Sequence, residues 1–210
     1  MHEILEWLNP EKILYEGGIY LVAFIIFAET GLFVGFFLPG DSLLFITGLF
    51  VGLGKIKASI YMVIPVLIAM AILGNMTGYY FGRWAGKGLY NRKDSWLFKK
   101  KYLTMTENYY GRHGVKTIFL GRFIPIIRTF APILAGVIKM DAKKFFLFTI
   151  VGAVAWITTF TLIGWFCTGI TGVQENLKWI VIGLILVTLI PVALTYFKER
   201  KLMREAEDKK

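Results

Sequence analysis

The sequence predicts an all-α integral membrane protein with about four transmembrane helices and two re-entrant helical hairpins, which enter from opposite sides and form an inverted repeat. Three observations lead to this fold class. Apolar residues make up 56% of the chain, well above the usual proportion in soluble proteins. Three runs without a charged residue, 58–82, 145–172 and 179–197, each exceed the roughly 18 residues that distinguish a membrane span. Two further apolar segments are interrupted by proline and glycine.

The N-terminal elements follow in order within a single domain of residues 1–210. Residues 1–12 alternate Ile and Leu with Glu and Asn, which predicts a short amphipathic helix on the membrane surface. A first span follows at about Ile13–Ala28. Residues 30–50 are broken by Pro39-Gly40-Asp41 and form the first hairpin, after which residues 58–82 cross the membrane.

Basic residues predict the orientation of the C-terminal elements. Nine Lys and Arg residues lie in Arg83–Lys116, which the positive-inside rule places in the cytoplasm. Three lysines between 139 and 144 also indicate the cytoplasm, so residues 117–138 must enter and leave on one face as the second hairpin. The next two apolar runs then cross outward and back, with an external loop at Thr168–Asn176. The basic tail 198–210 ends inside, so both termini of this multi-pass protein are predicted to be cytoplasmic.

The composition argues against several classes of function. Cys167 is the single cysteine, and His2 and His113 are far apart, so neither a disulfide framework nor a metal site is predicted. The sequence contains no phosphate-binding loop, nucleophile elbow or dinucleotide fingerprint, so we expect neither an enzyme nor a cofactor. A net charge of +10 does not indicate nucleic acid, because the basic residues flank the spans. The basic tail is expected to meet anionic lipid headgroups. The N-terminus lacks a basic region and a cleavage site, so no cleaved signal peptide is expected.

The two broken segments carry four ionisable residues. Glu29 and Asp41 belong to the first segment, and Arg122 and Arg128 belong to the second. Residues that interrupt or relax the helices are predicted at Pro39, Gly40, Pro125, Pro132 and Gly136. Glu29 precedes Pro39 by ten residues and Arg122 precedes Pro132 by ten, which supports the inverted repeat. Paired broken segments of this kind indicate the central site of a transporter.

Four unpaired charges at mid-membrane would cost on the order of 10–14 kcal/mol, so these residues must pair, face water or bind a ligand. One interpretation is that the acids neutralise the arginines and hold the hairpins together. Asp41 alone has a second interpretation, as the cap of the half-helix that follows it. A buried ion pair is a weak stabilising device, however, and guanidinium groups suit phosphate oxygens. We therefore predict that Arg122 and Arg128 bind an anionic headgroup.

Glycines recur at every fourth position from Gly74 through Gly78 and Gly82 to Gly86. Small residues at this spacing let membrane helices approach closely. The pattern predicts packing within the chain, and a homo-oligomer interface is the alternative.

Four motifs in order resemble the DedA family, also called the VTT or SNARE-associated-like membrane proteins. They are Glu29-x-Gly31, Phe37-Leu-Pro39-Gly40-Asp41-Ser-Leu-Leu, Gly74-x-x-x-Gly78-Tyr79-x-x-Gly82-Arg83-x-x-Gly86, and Gly121-Arg122-Phe-x-Pro125-x-x-Arg128-Thr-x-x-Pro132-x-x-Ala135-Gly136-x-x-x-Met140. The resemblance covers roughly residues 15–170. Asn75 departs from it, since the family usually has Asp at this position, and a titrating role there is in doubt.

The resemblance implies two opposed re-entrant hairpins and lipid translocation. Bacterial members of the family are linked to the recycling of undecaprenyl phosphate across the cytoplasmic membrane, a cell-envelope function that depends on the proton motive force. Eukaryotic relatives scramble phospholipids. The acidic pair of the family corresponds to Glu29 and Asp41, and its arginine pair corresponds to Arg122 and Arg128.

The resulting hypothesis is a proton-coupled flippase whose substrate is a polyprenyl phosphate or a phospholipid. With both acids ionised, the four-residue site is formally neutral and its arginines are occupied. Protonation of Glu29 and Asp41 would leave it near +2, matched to a phosphate monoester. Three alternatives stay open: an energy-independent phospholipid scramblase, a proton-coupled ion or small-solute antiporter, and a purely structural membrane protein.

Overall fold

The computed structural model describes residues 10–32, 38, 40–89 and 125–170, together with a few isolated residues up to 183. Five α-helices account for the segments up to residue 170: α1 Pro10–Gly31, α2 Gly40–Gly52, α3 Ile60–Leu89, α4 Pro125–Val137 and α5 Ala142–Phe166. A 3-10 turn at Cys167–Gly169 continues α5. These segments contain no β-strand, which agrees with the all-α prediction. Residues 1–9 of the predicted surface helix and the basic tail lie outside the described residues, as does most of the span predicted from Trp179.

Two of these helices have the length and composition of membrane spans. They are Ile60–Gly86 of α3, with 27 residues, and Ala142–Gly169, which is α5 with its 3-10 turn, with 28 residues. Large apolar side chains on both helices are exposed, among them Tyr61, Leu73 and Leu147. An apolar outer face of this kind suits contact with lipid. The runs 58–82 and 145–172 that the sequence singled out fall largely on α3 and α5.

The predicted first span, Ile13–Ala28, lies within α1. Gly18 interrupts this helix with φ 55° and ψ −155°, a conformation that residues with a Cβ rarely adopt. After the kink, Gly18–Gly31 forms a shorter apolar helix. At its end the Thr30 hydroxyl donates to the Ile26 carbonyl of its own helix at 2.8 Å and also lies 3.3 Å from the carbonyl oxygen of Ala71, a close contact between α1 and α3.

Two short helices lie in the predicted broken segments. α2 and α4 contain 13 residues each, or about 20 Å at 1.5 Å per residue, whereas the hydrocarbon core is about 30 Å thick. A short turn and then a long helix follow each of them, with residues 53–59 leading to α3 and residues 138–141 to α5. Every residue of α2 from Gly40 to Phe50 is buried. Residues 33–37 and 117–124 of the broken segments lie outside the described residues.

The short and long helices form two consecutive units, α2–α3 and α4–α5, and each short helix packs on the long helix of the other unit. α2 packs mainly on α5 and only marginally on α3, the helix that follows it, whereas α4 packs mainly on α3. The long helices α3 and α5 contact each other between these pairs, and α1 lies against α3. The two units, α2–α3 and α4–α5, are therefore interleaved and do not stand side by side.

Glycines mark the two crossings of short and long helices at matching positions. In each crossing a glycine on one helix faces a backbone carbonyl of the other: Gly48 faces Thr161, Gly164 faces Phe45, Gly136 faces Tyr79, and Gly82 faces Ile133. On each helix, the glycine lies three positions after the residue whose carbonyl the opposite glycine faces. This spacing is the same on the short and the long helices. The contacts therefore pair Gly48 with Gly136 and Gly164 with Gly82. A Cβ at any of the four would collide with the opposite backbone.

The glycines from Gly74 to Gly86 lie on the face of α3 that meets α1 and α4. Gly74 contacts Thr30, Gly78 lies near Pro132 and Gly86 lies against Val137. These contacts match the interpretation of the repeat as packing within the chain. A homo-oligomer through the same face would require them to separate.

Tyr79 organises the packing at one end of the helices. Its ring stacks on Phe145 with the centroids 4.8 Å apart. Its hydroxyl donates to the carbonyl of Met140 and accepts from the Arg83 guanidinium at 2.8 Å. One tyrosine thus connects α3 to the turn between α4 and α5 and to the start of α5.

Candidate functional site

Four helices contribute one polar side chain each to a buried cluster. Glu29 lies in the last turn of α1, Asp41 is the second residue of α2, Arg128 lies in the first turn of α4, and Trp156 lies near the middle of α5. All four residues are buried, with exposed fractions of 6% or less. Trp156 is the fifteenth residue of α5, about 21 Å along its axis. The cluster therefore lies far from both ends of a span-length helix.

Arg128 joins the two acidic side chains. Its Nη1 donates to Oδ1 of Asp41 at 2.7 Å, and its Nη2 donates to Oε1 of Glu29. Both contacts are ion pairs between buried groups. A single guanidinium therefore bridges carboxylates from α1 and α2, where a bidentate pair would engage one carboxylate alone.

Trp156 touches both charges of the Asp41–Arg128 pair. Its Nε1–H donates to Oδ1 of Asp41 at 2.7 Å. The Arg128 guanidinium carbon lies 4.0 Å from the centroid of the indole ring, a cation–π distance. Oδ1 of Asp41 thus accepts from two donors, one cationic and one neutral.

The carboxylate of Glu29 lies in the space left by the missing side chain of Gly40. A Cβ built on Gly40 would occupy the position of the Glu29 carboxyl group. The end of α1 also depends on close packing, because Gly31 and Gly74 approach each other backbone to backbone. The glycines next to Glu29 and Asp41 therefore set how closely α1, α2 and α3 can approach.

Two polar atoms of the cluster lack a hydrogen bond to any part of the chain that the structure describes. They are Oε2 of Glu29, an acceptor, and Nε of Arg128, a donor, and both are buried. Buried polar atoms are rarely left without partners, so each unsatisfied group calls for an explanation. Glu29 and Arg128 thus have bonding capacity beyond the contacts that hold them together.

The structure brings together three of the four predicted charged residues. Glu29, Asp41 and Arg128 form one contact network, although they are separated by up to 99 positions in the chain. Arg122 and Pro39 lie outside the described residues. The roles assigned to these side chains, phosphate binding and proton coupling, remain predictions.

The residues predicted to break the second segment take different positions in the fold. Pro125 begins α4, where a proline lacks no helical hydrogen bond. Pro132 lies inside α4, and the helix continues through it to Val137. Because Pro132 has no N–H, the carbonyl of Arg128 receives no hydrogen bond from it. Gly136 lies in the last turn and serves the crossing with α3.

The sequence interpretation missed Trp156. Tryptophan in a membrane span is enriched at the interfaces, whereas Trp156 lies in the middle of an apolar run. A buried indole N–H needs an acceptor, and apolar helices offer few beyond their own carbonyls. These two facts are the signal that could have placed Trp156 beside a carboxylate. Among the described residues, no group of three His, Cys, Asp or Glu side chains could hold a metal ion.

Comparison with known proteins reveals similarity over most of the chain. The VTT domain matches residues 38–166, a range that includes Asp41, Arg128 and Trp156. The chain is 38% identical over 188 residues to Protein DedA of Escherichia coli K12, covering 89% of this chain and 86% of that protein. It is 35% identical over 209 residues to an uncharacterized membrane protein of Mycobacterium tuberculosis H37Rv, covering 98% and 92%. It is 32% identical over 160 residues to the inner membrane protein YqjA of Escherichia coli K12, covering 75% and 70%. No solved structure matches the chain.

Proposed function

This chain belongs to the DedA family of VTT-domain membrane proteins, and from that premise we propose that it moves a lipid with a phosphate headgroup across the cytoplasmic membrane. The substrate we propose is undecaprenyl phosphate, and the coupling ion is the proton. The observation that carries the proposal is the buried Arg128, which two carboxylates share where two half-length helices begin.

The charge balance of the cluster supports coupling to protons. Among the described residues, two carboxylates face one guanidinium, which leaves one negative charge in excess when all three are ionised. An excess charge at this depth is costly, since a charged group at mid-membrane costs about 2.5–3.5 kcal/mol on translocon scales. Arg122, the second arginine of the hypothesis, or a bound proton would balance it. Protonation of Glu29 would also loosen its hold on Arg128, which then becomes free to bind an anion.

The unsatisfied atoms support a phosphate monoester as the ligand. A singly ionised monoester can bring the balancing proton itself, because its P–OH group can donate to Oε2 of an ionised Glu29 while its other oxygens accept from Nε of Arg128. A phosphodiester such as an ordinary phospholipid has no P–OH group and cannot make the first of these bonds. This difference favours a carrier-lipid flippase over a phospholipid scramblase.

The interleaved helices support access from both sides of the membrane. Broken backbone at membrane depth is tolerated where protein or a water-filled space satisfies it, and half-helix N-termini carry partial positive charge. Asp41 and Arg128 both lie in the first turn of such a short helix. We propose that α2 and α4 are the inner arms of two oppositely oriented hairpins, and that the headgroup passes between their N-termini while the lipid tail stays in the bilayer.

The experiment is translocation in proteoliposomes that contain undecaprenyl phosphate, read as headgroup accessibility at the outer surface, with and without a pH gradient. Wild-type protein is expected to accelerate translocation only when the gradient is present. Arg128→Lys should reduce the rate about tenfold or more, because the single Nζ of a lysine cannot occupy both the Nη1 and the Nη2 position of the planar guanidinium. Glu29→Gln should retain binding and lose the response to the gradient. Lys143→Ala, at an exposed position on α5, is the matched control and should behave like wild type.

The other outcomes separate the alternatives. Translocation that ignores the gradient and extends to phosphodiester lipids would identify a scramblase. The excess negative charge of the described cluster also suits a cation, so a cation antiporter is the second candidate. Cation flux without any lipid movement would replace our proposal with that one.

A further inference from the structure

Trp156 is the feature of the site that the proposed function does not yet use. Its side chain is fully buried, and its ring lies over the Arg128 guanidinium. It contacts the acid and the base of the Asp41–Arg128 pair through different parts of the indole. The indole N–H binds the Asp41 carboxylate, and the π face covers the Arg128 guanidinium.

These two contacts have different consequences when a phosphate arrives. Arg128 can bind phosphate through Nη1 and Nη2 only if it gives up contacts to Asp41 and Glu29. Oδ1 of Asp41 would then keep the indole N–H as its donor, at 2.7 Å, and would not be left as a buried acceptor without a partner. The ring would continue to cover the guanidinium face, because stacking does not occupy the N–H groups that bind phosphate.

We propose that Trp156 is the positioning residue of this site, which holds Asp41 in place and keeps Arg128 stacked while the guanidinium exchanges carboxylates for a phosphate. This inference rests on the proposed function. It differs from a packing role in a testable way, because a packing residue contributes its volume, whereas a positioning residue also contributes its N–H.

The test compares two replacements of Trp156 that separate volume from hydrogen bonding. Trp156→Phe keeps most of the ring and loses the donor, whereas Trp156→His has a smaller ring and keeps an N–H. Titrations at pH 6 leave about half of the probe with its P–OH group, and their repetition at pH 8 shows whether a charge on the imidazole contributes to binding. The probe is dodecyl phosphate, a single-chain phosphate monoester, titrated into purified protein in detergent. Binding is measured with radiolabelled probe, and the environment of Trp156 is followed by tryptophan fluorescence. Trp165→Phe on the same helix is the control, since its ring packs against Phe166.

We expect the probe to change the fluorescence of the wild type and of Trp165→Phe, and to leave that of Trp156→Phe nearly unchanged. Binding should fall about tenfold in Trp156→Phe, the effect of losing a buried hydrogen bond to a charged group. Trp156→His should bind the probe more strongly than Trp156→Phe does. If Trp156→Phe binds better than Trp156→His, volume alone matters and the positioning role is refuted. Wild-type binding with unimpaired Trp156→Phe refutes this inference alone. Absence of wild-type binding, measured with the radiolabel, refutes the proposed function and this inference with it.

Discussion

At the scale of single residues, Arg128 and Gly40 determine the geometry of the site in opposite ways. Arg128 contributes a rigid planar group that reaches two carboxylates, and Gly40 contributes the absence of a side chain where one of those carboxylates lies. A buried charge network is seldom retained for stability, because apolar replacements often stabilise a protein as well or better. The arrangement is therefore better explained by a function that needs the charges.

Removal of Arg128 alone should destabilise the protein strongly. Arg128→Met leaves two buried carboxylates without their cationic partner, and breaking a buried pair in this way costs about 3–5 kcal/mol. The triple variant with Glu29→Gln and Asp41→Asn should recover most of that loss. Thermal unfolding in detergent, followed by circular dichroism, measures both. A triple variant no more stable than Arg128→Met would show that the three side chains do not act as one network.

Gly40→Ala should displace Glu29. The new methyl group would occupy the position of the Glu29 carboxyl, so the carboxylate must turn away from Arg128. We expect phosphate-lipid translocation to fall about tenfold or more, with a smaller loss of stability of about 1–3 kcal/mol. Gly169→Ala is the control, because a Cβ there meets no atom within 4 Å. Equal activity of the two alanine variants would contradict the assigned position of Glu29.

At the scale of helices, the crossings of α2 with α5 and of α4 with α3 are built alike. Each relies on a glycine pair that allows a backbone carbonyl of one helix to lie against the other helix. Without water in the bilayer, close packing of this kind is a main source of helix association. The two crossings therefore contribute comparably to holding the interleaved units together.

Gly48→Ala and Gly136→Ala should destabilise the protein by similar amounts. Each adds a Cβ that meets a carbonyl oxygen of the opposite helix, at Thr161 and Tyr79 respectively. Overpacking of this kind costs about 1–3 kcal/mol, and the midpoint of thermal unfolding reports it. A large effect at one position and none at the other would contradict the equivalence of the crossings.

From the sequence one could predict that the buried charges find partners and that Gly74 to Gly86 pack within the chain, but neither the position of Trp156 nor the pairing of the helices. Glu29, Asp41 and Arg128 could be recognised because ionisable residues in apolar segments must find partners. Trp156 could not be assigned by the same rule, since an indole is costly only when its N–H has no acceptor. The proline spacing aligns Pro39 with Pro132. The glycine contacts instead align Gly48 with Gly136, and the same offset places position 127, not Pro132, opposite Pro39. Small residues determine where two helices cross, whereas a proline can lie at the start of a helix or inside it and so does not mark the crossing.

At the scale of the whole molecule, the turn after α2 and the turn after α4 should face opposite sides of the membrane. Each short helix leads from the buried site to its turn, and the basic residues predict the second turn to be cytoplasmic. An external first turn and a cytoplasmic second turn are what two oppositely oriented units require. This arrangement would expose the same central site alternately to either side.

Labelling of introduced cysteines tests this topology. Lys55→Cys in the turn after α2 and Lys143→Cys at the start of α5 occupy exposed positions. Both are made in a Cys167→Ala background, which removes the single native cysteine. A membrane-impermeant maleimide added to intact cells lacking an outer membrane barrier should label position 55 and leave position 143 unlabelled until the cells are opened. Labelling of both positions from the same side would contradict the inverted arrangement.

The interleaving of the two units also has a consequence for synthesis of the chain. Asp41 leaves the ribosome 115 residues before Trp156, which at 5–20 residues per second is a delay of roughly 6–23 s. Asp41 lacks its indole partner throughout that interval, and it lacks Arg128 for the first 87 residues of it. A bound proton or a partly hydrated setting would lower the cost of the Glu29 and Asp41 carboxylates until the C-terminal half arrives. Assembly of this protein thus depends on the order in which its halves are synthesised as well as on their packing. A chain truncated after α3 should be degraded by membrane quality-control proteases.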